Sequence, residues 1–313
     1  MKNIKENPDK KTNESLDKNA NKSINQNANK NMEKAMWKKI QMRNMWDILW
    51  ILFVMVLLQM VAYIVCSIVY YNGDFSVVYE RVVATKNGDN TFIYFVSIVS
   101  AFLTLVYGVH KYHKKTEFDT EEEISFRFNF KGIFYLIFVG VGSSIILSFL
   151  LTFISGFAPE FFEKYNEKID VMVVTGSIIN LLYVIILGPV SEEVIFRGVI
   201  FKRTRFSFGL VAGNIIQAVI FGIFHGNIIQ GIYTFILGLL MGYVVYKYKD
   251  VLSSIIAHIF FNVTSVLLSV LDKHNGITNY KEIISLIIIA GVILFLTGIY
   301  GIVKFKDEPK INN

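Results

Sequence analysis

The chain has 313 residues, 53% of them hydrophobic and 18% charged, and its formal net charge is +6 at pH 7. Its mean hydropathy of +0.48 exceeds that of ordinary soluble domains, and apolar runs of about 20 residues recur along it. These runs are continuously apolar, which excludes the alternating strands of a membrane β-barrel. The sequence therefore predicts an all-α, polytopic membrane helix bundle.

The first 45 residues form a polar, basic segment. They contain eleven Lys and Arg residues and five acidic residues, and a composition this poor in apolar residues predicts a disordered cytoplasmic tail. Within the tail, residues 36–43 can lie along the inner membrane surface as a short interfacial helix. The polarity of the tail and the length of the next apolar run argue against a signal peptide.

Eight apolar runs follow, and each is long enough to cross a bilayer as a helix. Three lie in an N-terminal region, residues 46–171, and four lie in residues 172–271. The last lies in residues 272–313, which end in a second cytoplasmic tail. The predicted spans are residues 46–71, 92–110, 132–156, 173–190, 208–225, 228–246, 251–271 and 283–303.

Lysine and arginine are concentrated in alternate loops between these spans. They are frequent in the N-terminal tail, in residues 111–131 and after the fourth, sixth and eighth spans, whereas loops 72–91 and 157–172 hold two each. The positive-inside rule then predicts that both termini are cytoplasmic, in a multi-pass protein of the cell membrane. The single cysteine, Cys66, lies in the first span, which excludes an intramolecular disulfide.

Two adjacent glutamates follow the fourth apolar run, in the segment Glu-Glu-Val-Ile-Phe-Arg at positions 192–197. Neighbouring residues of a helix point about 100° apart, so Glu192 and Glu193 cannot face the same way. Glu193 and Arg197 are four residues apart, which predicts an ion pair that supports the site. Glu192 is then free to face a cavity, where a partly desolvated carboxylate can take up and return a proton.

Two histidines and an asparagine lie in later apolar runs. His225 ends the fifth run, where it can hold a water molecule or polarise a carbonyl, and His258 and Asn262 share one face of the seventh. Asparagine is no base, but its amide can donate to a developing oxyanion. Taken singly, these residues also fit an interfacial position or interhelical hydrogen bonding.

Taken in order, the segments Glu-Glu-x-x-x-Arg at 192–197, Phe-x-x-x-His at 221–225 and His-x-x-x-Asn at 258–262 resemble the motifs of the CPBP family of intramembrane proteases. This family includes type II CAAX prenyl endopeptidases and bacterial abortive-infection or bacteriocin-immunity homologues. The resemblance covers about residues 175–270, so residues 172–271 are expected to form the catalytic core.

The resemblance implies an enzyme that hydrolyses peptide bonds within the membrane. Glu192 would be the base that activates water, with help from His225, and His258 and Asn262 would stabilise the oxyanion of the tetrahedral intermediate. The implied partners are a membrane-associated peptide or protein substrate and the lipid bilayer, without nucleic acid. Nothing in the sequence shows whether the substrate is prenylated.

The family has been described both as metalloproteases and as glutamate-dependent proteases. We favour a reaction without a metal cofactor, because the chain lacks His-Glu-x-x-His and Asn262 is a poor zinc ligand. The alternative is a zinc site, which would use Glu192, His225 and His258. Two other classes stay open: a non-proteolytic immunity or scaffolding protein of the same fold, and a proton-coupled transporter.

The predicted span boundaries raise one geometric conflict. If the fourth span ends at Pro189, Glu192 and His225 differ in depth by roughly 25 Å, which is too far for shared catalysis. We therefore expect the fourth helix to continue past a kink at Gly188 and Pro189 to about Lys202, which would place Glu192 inside the bilayer.

Overall fold

The computed structural model describes residues 8–74, 76, 90–114, 130–157, 159–160, 162, 178–276 and 280–305. Within these ranges the regular structure is entirely helical, without any strand, which confirms the predicted all-α fold. The predicted starts of the loops at 72–91 and 111–131 are described, but most of their length and the end of the C-terminal tail lie outside these ranges.

Eight helices can be followed along the described chain. The first three are α1 (Pro8–Tyr71), α2 (Asn90–His113) and α3 (Phe130–Ser155). A long helical run, Ile178–Phe224, is divided by Gly209 into α4 (residues 178–208) and α5 (residues 210–224). The last three are α6 (Ile228–Tyr248), α7 (Val251–Asn275) and α8 (Lys281–Lys304).

Seven of the helical runs in the described residues are long and apolar enough to cross a membrane, counting Ile178–Phe224 as one. The chain is therefore a multi-pass membrane protein. The count is seven rather than the predicted eight because Ile178–Phe224 contains two predicted spans. They are separated at Gly209, whose φ of 78° and ψ of 176° are not helical. The rings of Phe196 and Phe221 lie 4.9 Å apart, although a straight helix would separate them by about 37 Å. The run therefore folds back on itself as a hairpin, and each of the eight predicted apolar segments is helical over most of the residues that the structure describes.

Helix α1 starts well before the first predicted span. It begins at Pro8, inside the segment whose composition predicts a disordered tail, and runs without interruption to Tyr71. Helical hydrogen bonds are local, so a helix can continue from an apolar into a polar part of the sequence. The contacts divide the chain into two units, Met1–Leu49 and Trp50–Asn313, and the functional candidates all belong to the second.

Helix α4 does not end at Pro189, so the predicted boundary at residue 190 is wrong. Two π-helical segments, Tyr183–Leu187 and Val194–Phe201, enclose a short α-helical turn, Gly188–Glu193. The first π-helical segment accommodates the missing N–H of Pro189, so the helix continues instead of breaking. The expected continuation to about Lys202 is confirmed, and the described helix goes on to residue 208.

Helix α7 occupies the centre of the bundle and carries two of the candidate residues. Asp250 caps its N-terminus by accepting a hydrogen bond from the Leu252 amide at 2.8 Å, which starts the helix two turns before His258. One side of α7 packs against α3, and another contacts the middle of α4, while α3 also packs against α8 and α4 against α2. The apolar core among α3, α6, α7 and α8 is formed by Leu136, Val139, Leu147, Leu237, Met241, Val244, Tyr248, Ala257, Phe261 and Ile302.

Candidate active site

Glu193 is the centre of a buried polar cluster between α4 and α7. Its Oε1 accepts a hydrogen bond from Nη1 of Arg197 at 2.9 Å, as the four-residue spacing predicted. The same oxygen accepts a second hydrogen bond from Nδ1 of His258 at 2.7 Å. The side chains of Glu193 and Arg197 are fully buried, so each neutralises a charge that would otherwise be very unfavourable there.

The bond to Glu193 defines the chemistry of His258. A carboxylate oxygen can only accept, so Nδ1 of the imidazole carries the hydrogen of this bond and leaves Nε2 for contacts on the other side of the ring. Nε2 lies 4.0 Å from Oε2 of Glu192. The Glu192 side chain is 29% exposed, whereas that of Glu193 is 0% exposed. The two adjacent carboxylates therefore have different environments, and Glu192 is the one open to a substrate or water.

Phe221 of α5 joins His225, the residue that follows this helix, to the cluster. The guanidinium carbon of Arg197 lies 4.2 Å from the centroid of the Phe221 ring. The rings of His225 and His258 stand edge-on to the same phenyl ring, with centroids 4.7 Å and 6.3 Å from it. His225 therefore lies at a depth similar to that of the α4 cluster, which resolves the conflict raised by the predicted spans.

His225 is oriented by its own helix. Its Nδ1 lies 2.8 Å from the Phe221 carbonyl oxygen, one turn earlier. A carbonyl can only accept, so Nδ1 is the protonated nitrogen and Nε2 carries the lone pair. Both site imidazoles thus donate through Nδ1 and leave Nε2 for other contacts.

Asn262 makes a contact that its spacing from His258 does not predict. Its Nδ2 donates to the Val184 carbonyl oxygen at 2.8 Å, in the first π-helical segment of α4. His258 instead contacts α4 nine residues later, at Glu193. The two side chains share a face of α7 but do not converge on one atom, in contrast to the expectation from sequence.

Two residues near the site were not singled out by the sequence. Phe221 was noted only as part of a motif, yet it contacts three of the polar residues. Tyr183 belongs to the first π-helical segment and interacts electrostatically with Glu192. A tyrosine hydroxyl inside an apolar run was a usable signal, but no pattern in the sequence relates position 183 to position 192.

The residues of the alternative zinc site do not fit an ion in this arrangement. Tetrahedral zinc holds neighbouring ligands about 3.3 Å apart, whereas Oε2 of Glu192 and Nε2 of His258 are separated by 4.0 Å. No group of three His, Cys, Asp or Glu side chains able to hold a metal ion occurs in the described part of the chain. We therefore derive no reaction step through a metal.

Residues 174–264 match the family model described as "Type II CAAX prenyl endopeptidase Rce1-like". This match includes all three motifs and every residue of the cluster described above. This part of the chain is similar to the CPBP family, whose motifs it carries. The match supports a relationship to CAAX-type intramembrane proteases for this part of the chain. A search of curated proteins and a search of solved structures each gave no match.

Proposed function

We propose that this protein is an intramembrane endopeptidase that cleaves membrane-associated proteins or peptides with water activated by Glu192. The observation that carries the proposal is the pairing of a partly exposed carboxylate with a fixed imidazole. Oε2 of Glu192 lies 4.0 Å from Nε2 of His258, a distance that one water molecule can bridge with two hydrogen bonds of about 2.8 Å. The family match of residues 174–264 supports the same reaction class.

In the proposed reaction Glu192 removes a proton from water as the water oxygen bonds to the carbonyl carbon of the substrate. The carbonyl π electrons move to oxygen and form the oxyanion of a tetrahedral intermediate. When the intermediate collapses, the C–N bond breaks and protonated Glu192 returns its proton to the leaving amine. The products are a new carboxylate and a new amino terminus.

The histidines have separate roles in this proposal. His225 accepts a hydrogen bond at Nε2 and helps to orient the water. His258 stabilises the oxyanion, which requires that Nε2 also carry a proton, because Nδ1 already donates to Glu193. One N–H of the Asn262 amide donates to Val184, and this proposal assigns the oxyanion to His258.

The decisive experiment is comparative membrane peptidomics of cells that contain the wild-type protein or the Glu192→Gln variant. A membrane-associated substrate should gain a new terminus only in the presence of the wild-type protein. Purified wild-type protein in detergent should produce the same terminus from that substrate. Identical peptide profiles from the two strains, at equal protein levels, would contradict the proposal.

A further inference from the structure

The Val184 carbonyl group has lost both of its usual partners within helix α4. In an α-helix it would accept from the amide of residue 188, but the Gly188 amide donates to the Tyr183 carbonyl. In a π-helix it would accept from residue 189, but that residue is Pro189 and has no N–H. The carbonyl would therefore be unpaired in an apolar environment, where a missing hydrogen bond destabilises the fold.

The side chain of Asn262 supplies the missing donor. Its Nδ2 lies 2.8 Å from the Val184 oxygen and links α7 to α4 across 78 residues of sequence. Asn262 is half-buried, and its amide is the donor that the structure shows for this carbonyl. The Asn262 amide therefore pairs a carbonyl that lacks a partner within α4 because the helix is π-helical at this point.

The π-helical segment decides where the two glutamates point. A π-bulge adds one residue to a helical turn, which rotates everything after it by about 100° relative to an unbroken α-helix. The same angle separates Glu192 from Glu193. Loss of the bulge would turn Glu192 into the direction that Glu193 now takes and would turn Glu193 a further 100° away, so neither the open nor the buried position would keep its present carboxylate.

We propose that Asn262 is a positioning residue that holds the π-helical register of α4 through the Val184 carbonyl, and so keeps Glu192 in the open position and Glu193 in the buried one. This inference rests on the proposed function for its effect on catalysis. Its effect on the helix stands independently of any activity, because it concerns a backbone hydrogen bond in the resting protein.

The experiment combines hydrogen–deuterium exchange with a double-mutant cycle. In Asn262→Ala, exchange of the backbone amides in residues 180–192 should rise, and cleavage should fall at least tenfold. Asn262→Asp has the same shape but no donor when ionised, so it should behave in the same way. Thr264→Val is the matched control, since the Thr264 hydroxyl bonds only to Phe260 within α7, and exchange in α4 should not change.

Pro189→Ala is the second variant of the double-mutant cycle. It restores an N–H at position 189, the π-helical partner of the Val184 carbonyl, and can replace the lost side-chain donor. In the double variant Asn262→Ala/Pro189→Ala, the backbone amides of residues 180–192 should again be protected from exchange. Its cleavage rate should be at least tenfold higher than that of Asn262→Ala. The effect of Pro189→Ala alone is the reference for this cycle.

The outcomes separate the inference from its alternatives. Unchanged exchange in Asn262→Ala would overturn the positioning role. A double variant that stays as inactive as Asn262→Ala would also overturn it, because a backbone amide on α4 can replace a helix-holding donor but not an oxyanion donor. If the wild-type protein cleaves nothing, the proposed function fails, and the exchange measurements alone decide whether Asn262 holds the register.

Discussion

Glu192 and Glu193 are neighbours in the chain, yet they have opposite environments. Glu193 is fully buried and accepts hydrogen bonds from Arg197 and His258, whereas Glu192 is partly exposed beside the imidazole of His258. A carboxylate that is already engaged by two donors in a closed cluster has no route to a substrate. The chemical role therefore falls to Glu192, and the structural role falls to Glu193.

Replacement of Glu192 by Gln should abolish proteolysis and leave the fold intact. The change removes the base but keeps the size of the side chain, and acid–base catalysis is worth about 10²–10⁴-fold in rate. Cleavage is measured by mass spectrometry of the products, and folding by the thermal midpoint in detergent. Glu282→Gln, at the exposed start of α8, is the matched control and should cleave normally. Wild-type turnover in the Glu192 variant would remove Glu192 from the catalytic role.

Replacement of Arg197 by Ala should reduce the stability of the protein rather than its chemistry alone. Glu193 would keep its bond to His258 but lose the guanidinium that neutralises it in a fully buried site. Removal of one partner of a buried ion pair destabilises proteins by about 3–5 kcal/mol. The thermal midpoint and the amount of folded protein in the membrane should both fall. Arg205→Ala, at the end of α4 and only half-buried, should have a clearly smaller effect.

The purified protein should cleave its substrate without zinc. The reaction proposed above uses Glu192 and imidazole groups alone, so elemental analysis should find no stoichiometric zinc and chelation should leave cleavage unchanged. Cobalt or zinc added after chelation should likewise have no effect. One zinc ion per chain, with cleavage lost on its removal and regained on its return, would replace the metal-free mechanism with a metal-dependent one.

The hairpin of α4 and α5 depends on a single glycine. Gly209 has φ 78° and ψ 176°, a backbone conformation that is almost restricted to glycine. On either side of this turn, the Thr204 hydroxyl of α4 donates to the Gly213 carbonyl of α5 at 2.9 Å and joins the two helices. This turn brings Phe221 back to Arg197, so it indirectly places His225 beside the site.

Replacement of Gly209 by Ala should therefore destabilise the hairpin by about 1–3 kcal/mol. A lower thermal midpoint in detergent is the expected result. Gly156→Ala is the control, because Gly156 is exposed and an added Cβ would meet only the Phe153 carbonyl at 3.4 Å. Equal midpoints for the two variants would show that the conformation at residue 209 carries no strain.

The orientation of the bundle in the membrane is a prediction from loop charges. A reporter fused after Asn313 should be cytoplasmic, and a reporter inserted in loop 72–91 should be external, since basic loops stay on the cytoplasmic side. An insertion in the basic loop 111–131 gives the internal comparison and should match the C-terminal fusion. A C-terminal reporter on the external side would reverse the predicted arrangement of all eight helices.

Local patterns in the sequence were sufficient for the fold class and for several contacts. Continuous apolar runs must become helices in a bilayer, because each backbone group then finds its partner within the same run. The Glu193–Arg197 pair follows from the pitch of one helix. The continuation of α4 past Pro189 could also be anticipated, because the three motifs would otherwise lie at incompatible depths.

Contacts between distant segments decided the rest. Neither the bond from His258 to Glu193 nor the bond from Asn262 to Val184 has a local signature, since each joins residues more than 60 positions apart. The π-helical segments of α4 shift the phase of the helix, so a regular 100° rotation could not show which residues of α7 the two glutamates face. The sequence by itself determined which side chains are available for chemistry. Tertiary packing decided which of them is open to a substrate, because burial depends on what the neighbouring helices cover.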